Sequence, residues 1–183
     1  MEYIKGFFSN DGTPVESLDK CDYIQLELNG KHAKNKNAIA LVSKETLNIV
    51  LKFKWYLGKN GYPVTYQSID QEIKLGKPWC MHKIITPRLS KGYVIDHINR
   101  NKLDNRLSNL RICTSIQNSY NTSRINNKYK GVKKGSNNTW NAIISKDGKI
   151  HEIKNIKTEK EAAKIYDFMA EELFGQYAGK NFE

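Results

Sequence analysis

One short stretch holds the residues able to do chemistry: Asp96 and His97 side by side, then Asn109, then Asn118. An imidazole with an unperturbed pKa of about 6.5 takes a proton near neutral pH, which suits His97 to be a general base. A carboxylate and an amide oxygen, Asp96 and Asn118, are hard donors for a divalent ion that neutralises charge on a phosphate and its departing oxygen. Together these groups suit phosphodiester hydrolysis. Arg100, Lys102, Arg106 and Arg111 lie in the same stretch and are candidates for holding backbone phosphates. Arg106 and Arg111 can equally pin the loop through acids such as Asp104.

The elements that must position these groups are legible around them. Lys91-Gly92 is turn chemistry, and Tyr93-Val94-Ile95 is a β-prone run, so Asp96 and His97 are expected at the end of a short strand. Neighbours on a strand point to opposite faces. Asp96 is therefore expected to face a helix carrying Asn118, and His97 to face water and phosphate. After a polar loop from Asn99 to Ser108, Asn109-Leu110-Arg111-Ile112 reads as a returning strand. From there Asn109 could accept from one imidazole nitrogen and leave the other as base. Thr114 to Gln117 fits a capping box, placing Asn118 in the first turn of a helix. The plainer account, an asparagine-rich loop that merely turns, does not explain why cap, strand ends and role residues agree in one span.

This segment resembles the HNH endonuclease family, and in particular its phage and intron-encoded homing branch. Asp96-His97, Asn105-Arg106, Asn109-Leu110-Arg111 and Gln117-Asn118 carry the resemblance, which covers about Met81 to Asn121. It implies a ββα-metal fold with Asp96 and Asn118 as metal ligands, His97 as general base, and Asn109 orienting the histidine or its loop. Met81-His82-Lys83-Ile84-Ile85 resembles an element that precedes the motif in this branch, and Trp55 and Gly61-Tyr62 fit its lead-in. The last letter of the motif is filled by Asn118 rather than His, and the zinc-binding Cys pairs of some relatives are absent. With one charged ligand, a single Mg²⁺ (or Mn²⁺) per site is expected rather than zinc. His82 is read as a packing or phosphate-binding residue; His32 and His151 lack carboxylate partners and receive no catalytic role.

Ahead of the motif, Asp22 to Asn29 alternate apolar with polar and end in Asn29-Gly30, a strand entering a turn. Ser43 to Leu57 carry a stripe closer to helical spacing, and Tyr62 to Tyr66 suit another strand. Lys31, Lys34 and Lys36 follow the first turn and extend the basic surface. Beyond a polar linker at 119–128, Tyr129 to Val132, Trp140 to Ser145 and Ile150 to Ile156 read as a three-stranded meander. A second capping box, Thr158 to Glu161, then opens a helix ending at Gly175. Between Asn126 and Thr158 eight lysines face Asp147 and Glu152, a balance of +6, whereas Glu159 to Phe174 has five acids against Lys160 and Lys164, a balance of −3. The sheet, not the helix, should meet a polyanion. The module resembles the APETALA2-type DNA-binding domain through Tyr129-Lys130-Gly131-Val132, Trp140 to Ile144, Thr158 to Ala163, Ile165-Tyr166-Asp167 and Ala178 to Phe182. That resemblance puts the sheet in the major groove, with Lys130, Lys133 and Trp140 at contact positions. Lys stands where the family usually has Arg at 130 and 133, which suits phosphate better than bidentate guanine readout. Trp140 can equally be core between sheet and helix.

The chain of 183 residues, with formal charge +11, is expected to be α+β: an N-terminal β-rich DNA-contacting region at 1–75, a nuclease motif at 76–125 and a DNA-binding sheet plus helix at 126–183. No apolar run approaches the roughly 18 residues of a membrane span, and no secretory core opens the chain, so a soluble cytoplasmic protein of a bacterial or phage-infected cell is expected. Cys21, Cys80 and Cys113 form no Cys-x-x-Cys pair, against a disulfide scaffold or structural zinc. Double-stranded DNA is the expected partner, bound by a monomer or homodimer. Two other readings compete: a DNA-binding regulator that keeps the scaffold without turnover, and a packaging protein, which would spread its lysines throughout.

Overall fold

The computed structural model describes residues 7–8, 23–34, 38–68, 73–122 and 128–182. In chain order the elements are β1 (Phe7–Phe8), β2 (Tyr23–Glu27), β3 (Ile39–Ser43), α1 (Leu47–Val50), β4 (Tyr56–Leu57), β5 (Pro63–Gln67), β6 (Lys74–Cys80) and α2 (Met81–Ile85). They continue with β7 (Tyr93–His97), β8 (Asp104–Asn105), β9 (Leu110–Thr114), α3 (Ser115–Tyr120), β10 (Val132–Lys134), β11 (Trp140–Lys146), β12 (Lys149–Ile156) and α4 (Glu159–Phe174). Several small sheets and few helices make the fold mixed α+β, as expected. It divides into two compact units, residues 1–112 and 113–183.

In the first unit β2 and β3 pair antiparallel, from Tyr23 opposite Ser43 to Glu27 opposite Ile39. The alternation read in the sequence buries Ile24 and Leu26 on one face, with Ala40 and Val42 beside them. The expected strand therefore forms, one residue later and shorter; Cys21, Asp22 and Lys36 lie outside the described residues. The unexpected member of this sheet is β8, which pairs parallel to β3 through Leu41 opposite Asp104 and Val42 opposite Asn105. A polar loop thus docks on an apolar sheet by backbone hydrogen bonding, including Leu41 N–H to Leu103 O at 2.8 Å.

The expected helix over 43–57 is cut down to a 3-10 turn at Lys44–Thr46 and the single turn of α1. Beyond Leu51 the chain turns inward instead. Phe53 and Trp55 join the core, and the Trp55 indole N–H donates to Val50 O at 2.9 Å. Met81 and Ile85 of α2 bury into the same core as Ile24, Val42 and Val50. Full burial of each such side chain contributes roughly 1.5–3 kcal/mol. Because β8 and α2 both belong to this unit, the loop after His97 is tied to the N-terminal sheet rather than standing apart.

The second unit is the meander and helix read in the sequence. β11 pairs with β10 and β12, and Val132, Ala142 and Ile144 bury against Ala162, Tyr166 and Ala170 of α4. Both capping boxes form: the Thr114 hydroxyl accepts from Gln117 N–H and Thr158 from Glu161 N–H, with the Gln117 and Glu161 side chains returning to the cap N–H. Gly131 adopts φ +70°, and a Cβ there would lie 1.9 Å from the Tyr166 ring, so only glycine fits. The chain end is held by Asp167, whose carboxylate accepts from the backbone N–H groups of Asn181 and Phe182 at 2.7 and 2.9 Å.

Candidate active site

β7 and β9 form a two-stranded sheet, and the loop between them is braced by the amides of Asn99, Asn105 and Asn109 and the carboxylate of Asp104. Asn109 lies in a 3-10 turn just before β9, not on the strand. Its Nδ2 donates to Asn99 Oδ1 at 2.9 Å and to Asp104 O at 2.8 Å, while its Oδ1 accepts from Asn99 N–H at 3.0 Å. Asn109 therefore braces the loop and does not meet the imidazole. Asp104 is the loop's second brace: buried, it accepts from Arg106 Nε at 2.7 Å and Nη2 at 2.6 Å, and from Asn99 Nδ2 at 2.8 Å. Burial raises the Asp104 pKa, but these hydrogen bonds and the Arg106 charge outweigh it and hold the carboxyl below its usual range. Arg100, at φ +63°, turns the chain by donating its N–H to His97 O at 2.8 Å.

His97 is buried and faces Asn105, whose Oδ1 lies 3.4 Å from His97 Nε2. Asn105 Nδ2 donates to Lys102 O at 3.3 Å, which turns its carbonyl oxygen toward the histidine. An amide oxygen at this position can accept from Nε2 in the tautomer that carries its proton there, the tautomer that leaves Nδ1 as the basic nitrogen. Burial lowers the His97 pKa, and the contact with Asn105 and the nearby Asp96 and Asp104 charges pull it back up.

Two rings from segments that the sequence reading placed ahead of the motif lie beside His97. His82 of α2 and Tyr62 lie 5.2 and 5.8 Å from its ring, centroid to centroid, and 5.2 Å from each other. His82 is 6% exposed, and its Nδ1 is sealed from solvent with no hydrogen-bond partner. Burial first, then the His97 and Lys83 charges, lower its pKa to about 4, so its ring is neutral near pH 7. Burial raises the Tyr62 pKa, with Cys80 and Asp96 adding to it. Lys102 Nζ sits 4.7 Å above the Tyr62 ring and donates to Asn60 O at 3.0 Å. Spacing carries no signal for this cluster, because its members come from three separated segments. The signal available was one of type, a histidine beside the apolar Met81, Ile84 and Ile85 of a short helix.

Asp96 is buried beside His97, and Arg111 on β9 donates to it. Two of the four cations expected at phosphate are therefore committed to carboxylates, Arg106 to Asp104 and Arg111 to Asp96. Arg100 and Lys102 remain exposed beside the loop. Asn118 belongs to the second unit, half-buried on α3. There the α3 end is fastened by Tyr120: its ring stacks on Phe174 at 3.9 Å and 11°, and its carbonyl accepts from Lys130 Nζ at 2.6 Å and Gly179 N–H at 3.1 Å. Lys130 is thus engaged inside the unit, and Trp140 packs against the core, whereas Lys133 is exposed on β10. Among the described residues no group of three or more His, Cys, Asp or Glu side chains could hold a metal ion, and no helix is long and apolar enough to cross a membrane.

A histidine, a carboxylate and an amide-braced loop gathered on a basic chain fit an enzyme acting on phosphodiesters. The family model described as HNH endonuclease matches residues 84–120. An uncharacterized HNH endonuclease, L560, of Acanthamoeba polyphaga mimivirus is 48% identical over 153 residues, covering 81% of this chain and 77% of the relative. Protein 3.8 of Escherichia phage T7 is 33% identical over 94 residues, 49% of this chain and 77% of that protein. No solved structure matches. The chain belongs to the HNH endonuclease family and is a nuclease of that family.

Proposed function

We propose that this nuclease cuts duplex DNA at specific sites, in the manner of a homing endonuclease, leaving 5′-phosphate and 3′-hydroxyl ends. The observation that carries the reading is the buried Asp96–His97 pair at the end of β7, with Asn105 Oδ1 facing His97 Nε2. In this account His97 Nδ1 takes the proton of the attacking water, and burial keeps the imidazole neutral so that it can do so. Asn109 contributes by holding the loop, through Asn99 and Asp104, on which Asn105 rides. Asp96 and Asn118 are the oxygen donors for Mg²⁺ or Mn²⁺; a carboxylate with an amide suits a hard cation that also needs phosphate oxygens. When bound, that ion would stabilise charge on the scissile phosphate and the leaving oxygen. Arg111 holds the Asp96 carboxylate, which makes it a positioning residue more than a phosphate clamp.

In the same proposal residues 126–183 act as an APETALA2-like DNA-binding module. Support comes from β12, which is exposed at every residue but Ile156, and from Lys133, Lys134, Lys149 and Lys154 exposed on the sheet that α4 leaves uncovered. The test is cleavage of mixed plasmid and phage DNA by wild type and His97→Ala, with Mg²⁺, with Mn²⁺ and with chelator. Metal-dependent cutting that His97→Ala abolishes while binding survives is the expected result. Binding without cutting on every substrate would favour a regulator, and equal cutting by the variant would remove His97 as base.

A further inference from the structure

We propose that a cleft between Trp79 and Tyr93 holds an unstacked base of the DNA strand being cut; the proposal rests on the nuclease reading above and names a substrate feature that it does not contain. Trp79, near the end of β6, is 41% exposed, and Tyr93, the first residue of β7, is 50% exposed. The cleft between them has a volume of about 320 Å³ and is also lined by His82, Lys83, Arg88 and Ile95. That size stands at the lower end of the roughly 300–1,000 Å³ of small-ligand sites, so the cleft takes one planar ring and not a duplex. A neighbouring cleft of about 540 Å³ shares Trp79, Lys83 and Arg88 as its wall, which sets both cations between the two depressions. Among the described residues lining either cleft none is acidic.

Two cations with no acidic side chain among the described residues lining the clefts select an anionic chain, and two exposed aromatic faces select flat rings. A nucleic-acid strand presents both at once, stacking its bases on aromatics while Lys and Arg follow its phosphates. The position of the cleft fixes which strand. Its wall includes Val94 and Ile95, the residues just before Asp96 and His97, and His82, whose ring lies 5.2 Å from that of His97. A nucleotide seated against Trp79 therefore belongs to the strand that passes the general base. Drawing a base out of a duplex costs a few kcal/mol, and least where it is already unpaired. The preferred substrate is thus DNA that is unpaired or easily unstacked beside the cut.

The test uses the full chain carrying His97→Ala, in chelator, so that no DNA is consumed. A paired duplex is compared with the same duplex containing a central unpaired bubble that includes the fluorescent adenine analogue 2-aminopurine. Stacking on an aromatic is worth about 1–3 kcal/mol per base, so the bubble duplex is expected to bind roughly tenfold tighter, with quenching of the analogue. Trp79→Ala should erase both the preference and the quench, Trp79→Phe should restore most of each, and neither should change the melting temperature, because Trp79 is not core. A preference that survives Trp79→Ala, equal binding of the two duplexes, or preferential binding of an RNA strand of the same sequence would overturn the proposal. Wild-type plasmid cutting measured alongside separates the two readings. Cutting without a bubble preference removes the base site alone, and the preference without cutting removes the nuclease reading and leaves the base site.

Discussion

Arg111 donates both Nε, at 2.9 Å, and Nη2, at 2.6 Å, to a single oxygen of Asp96, Oδ2, and both side chains are largely buried. The pair fixes the carboxylate that is proposed to hold the metal, and it neutralises a charge that would otherwise be stranded in the protein. Breaking a buried pair from one side is costly because the remaining charge keeps its desolvation penalty. Arg111→Ala should lower stability by about 3 kcal/mol in denaturant titration, and cutting should fall with it. Arg111→Ala combined with Asp96→Asn should recover much of that stability and none of the cutting. Equal stability of the single and double variants would show that the pair is not what matters.

His82 gives a pH dependence whose sign is fixed by its burial. Its folded pKa, near 4, lies below the ordinary 6.5, so the unfolded chain binds a proton that the folded chain refuses. The stability linked to this group is full above about pH 6.5 and is lost as pH falls toward 4, by about 3 kcal/mol in all. Unfolding free energies at pH 7 and pH 4.5 should therefore differ less in His82→Phe than in wild type. An unchanged difference would mean that His82 is protonated at little cost.

The stack of Tyr120 on Phe174 predicts an effect at a distance. A helix of six residues has no stability of its own, so α3 depends on what it is packed against. Phe174→Ala removes the ring beneath Tyr120 and should slow cutting about tenfold by loosening the helix that carries Asn118. DNA affinity, measured by titration in chelator, should change less than twofold. A loss of affinity equal to the loss of rate would place Phe174 in binding instead.

Gly131 tests the core of the second unit. A methyl group at this position meets the Tyr166 ring and Ile143 O, on a backbone with positive φ, so Gly131→Ala combines overpacking with backbone strain. The expected cost is about 3 kcal/mol, read as early loss of the α4 helical signal on heating. Gly148→Ala, also at positive φ but with nothing within 4 Å of its Cβ, should cost clearly less.

What the sequence made legible was local. Both capping boxes, the strand ending in Asp96-His97, the last two strands of the meander and α4 each depend on residues a few positions apart and form where they were read, whereas the first meander strand, read at Tyr129 to Val132, forms at Val132–Lys134. The departures are non-local. Asp104-Asn105 has no apolar pattern, so nothing in it announces a strand joining the N-terminal sheet; it pairs by backbone alone. The helical stripe over 43–57 yields to burial of Phe53 and Trp55, which draw the chain into the core. Asn109 was expected to orient the imidazole or its loop; it sits in a turn rather than on a strand and holds the loop, while Asn105 stands beside His97. The Tyr62–His82–His97 cluster needed the fold to bring three segments together, and type alone could not distinguish a packing histidine from one at the site.

The division between Ile112 and Cys113 falls inside the matched family segment at 84–120. The motif and the compact unit therefore have different boundaries in this chain. An exchange of modules between relatives, cut just after Asn121 to keep the motif whole, would part α3 from Phe174, Lys130 and Gly179, which hold it. A crossover at Ile112 instead would carry the helix away with its support. Recombination that preserves turnover is thus expected to inherit Asn118 together with the C-terminal sheet, so that the helix proposed to carry a metal ligand and the sheet proposed to meet DNA arrive as one inheritance.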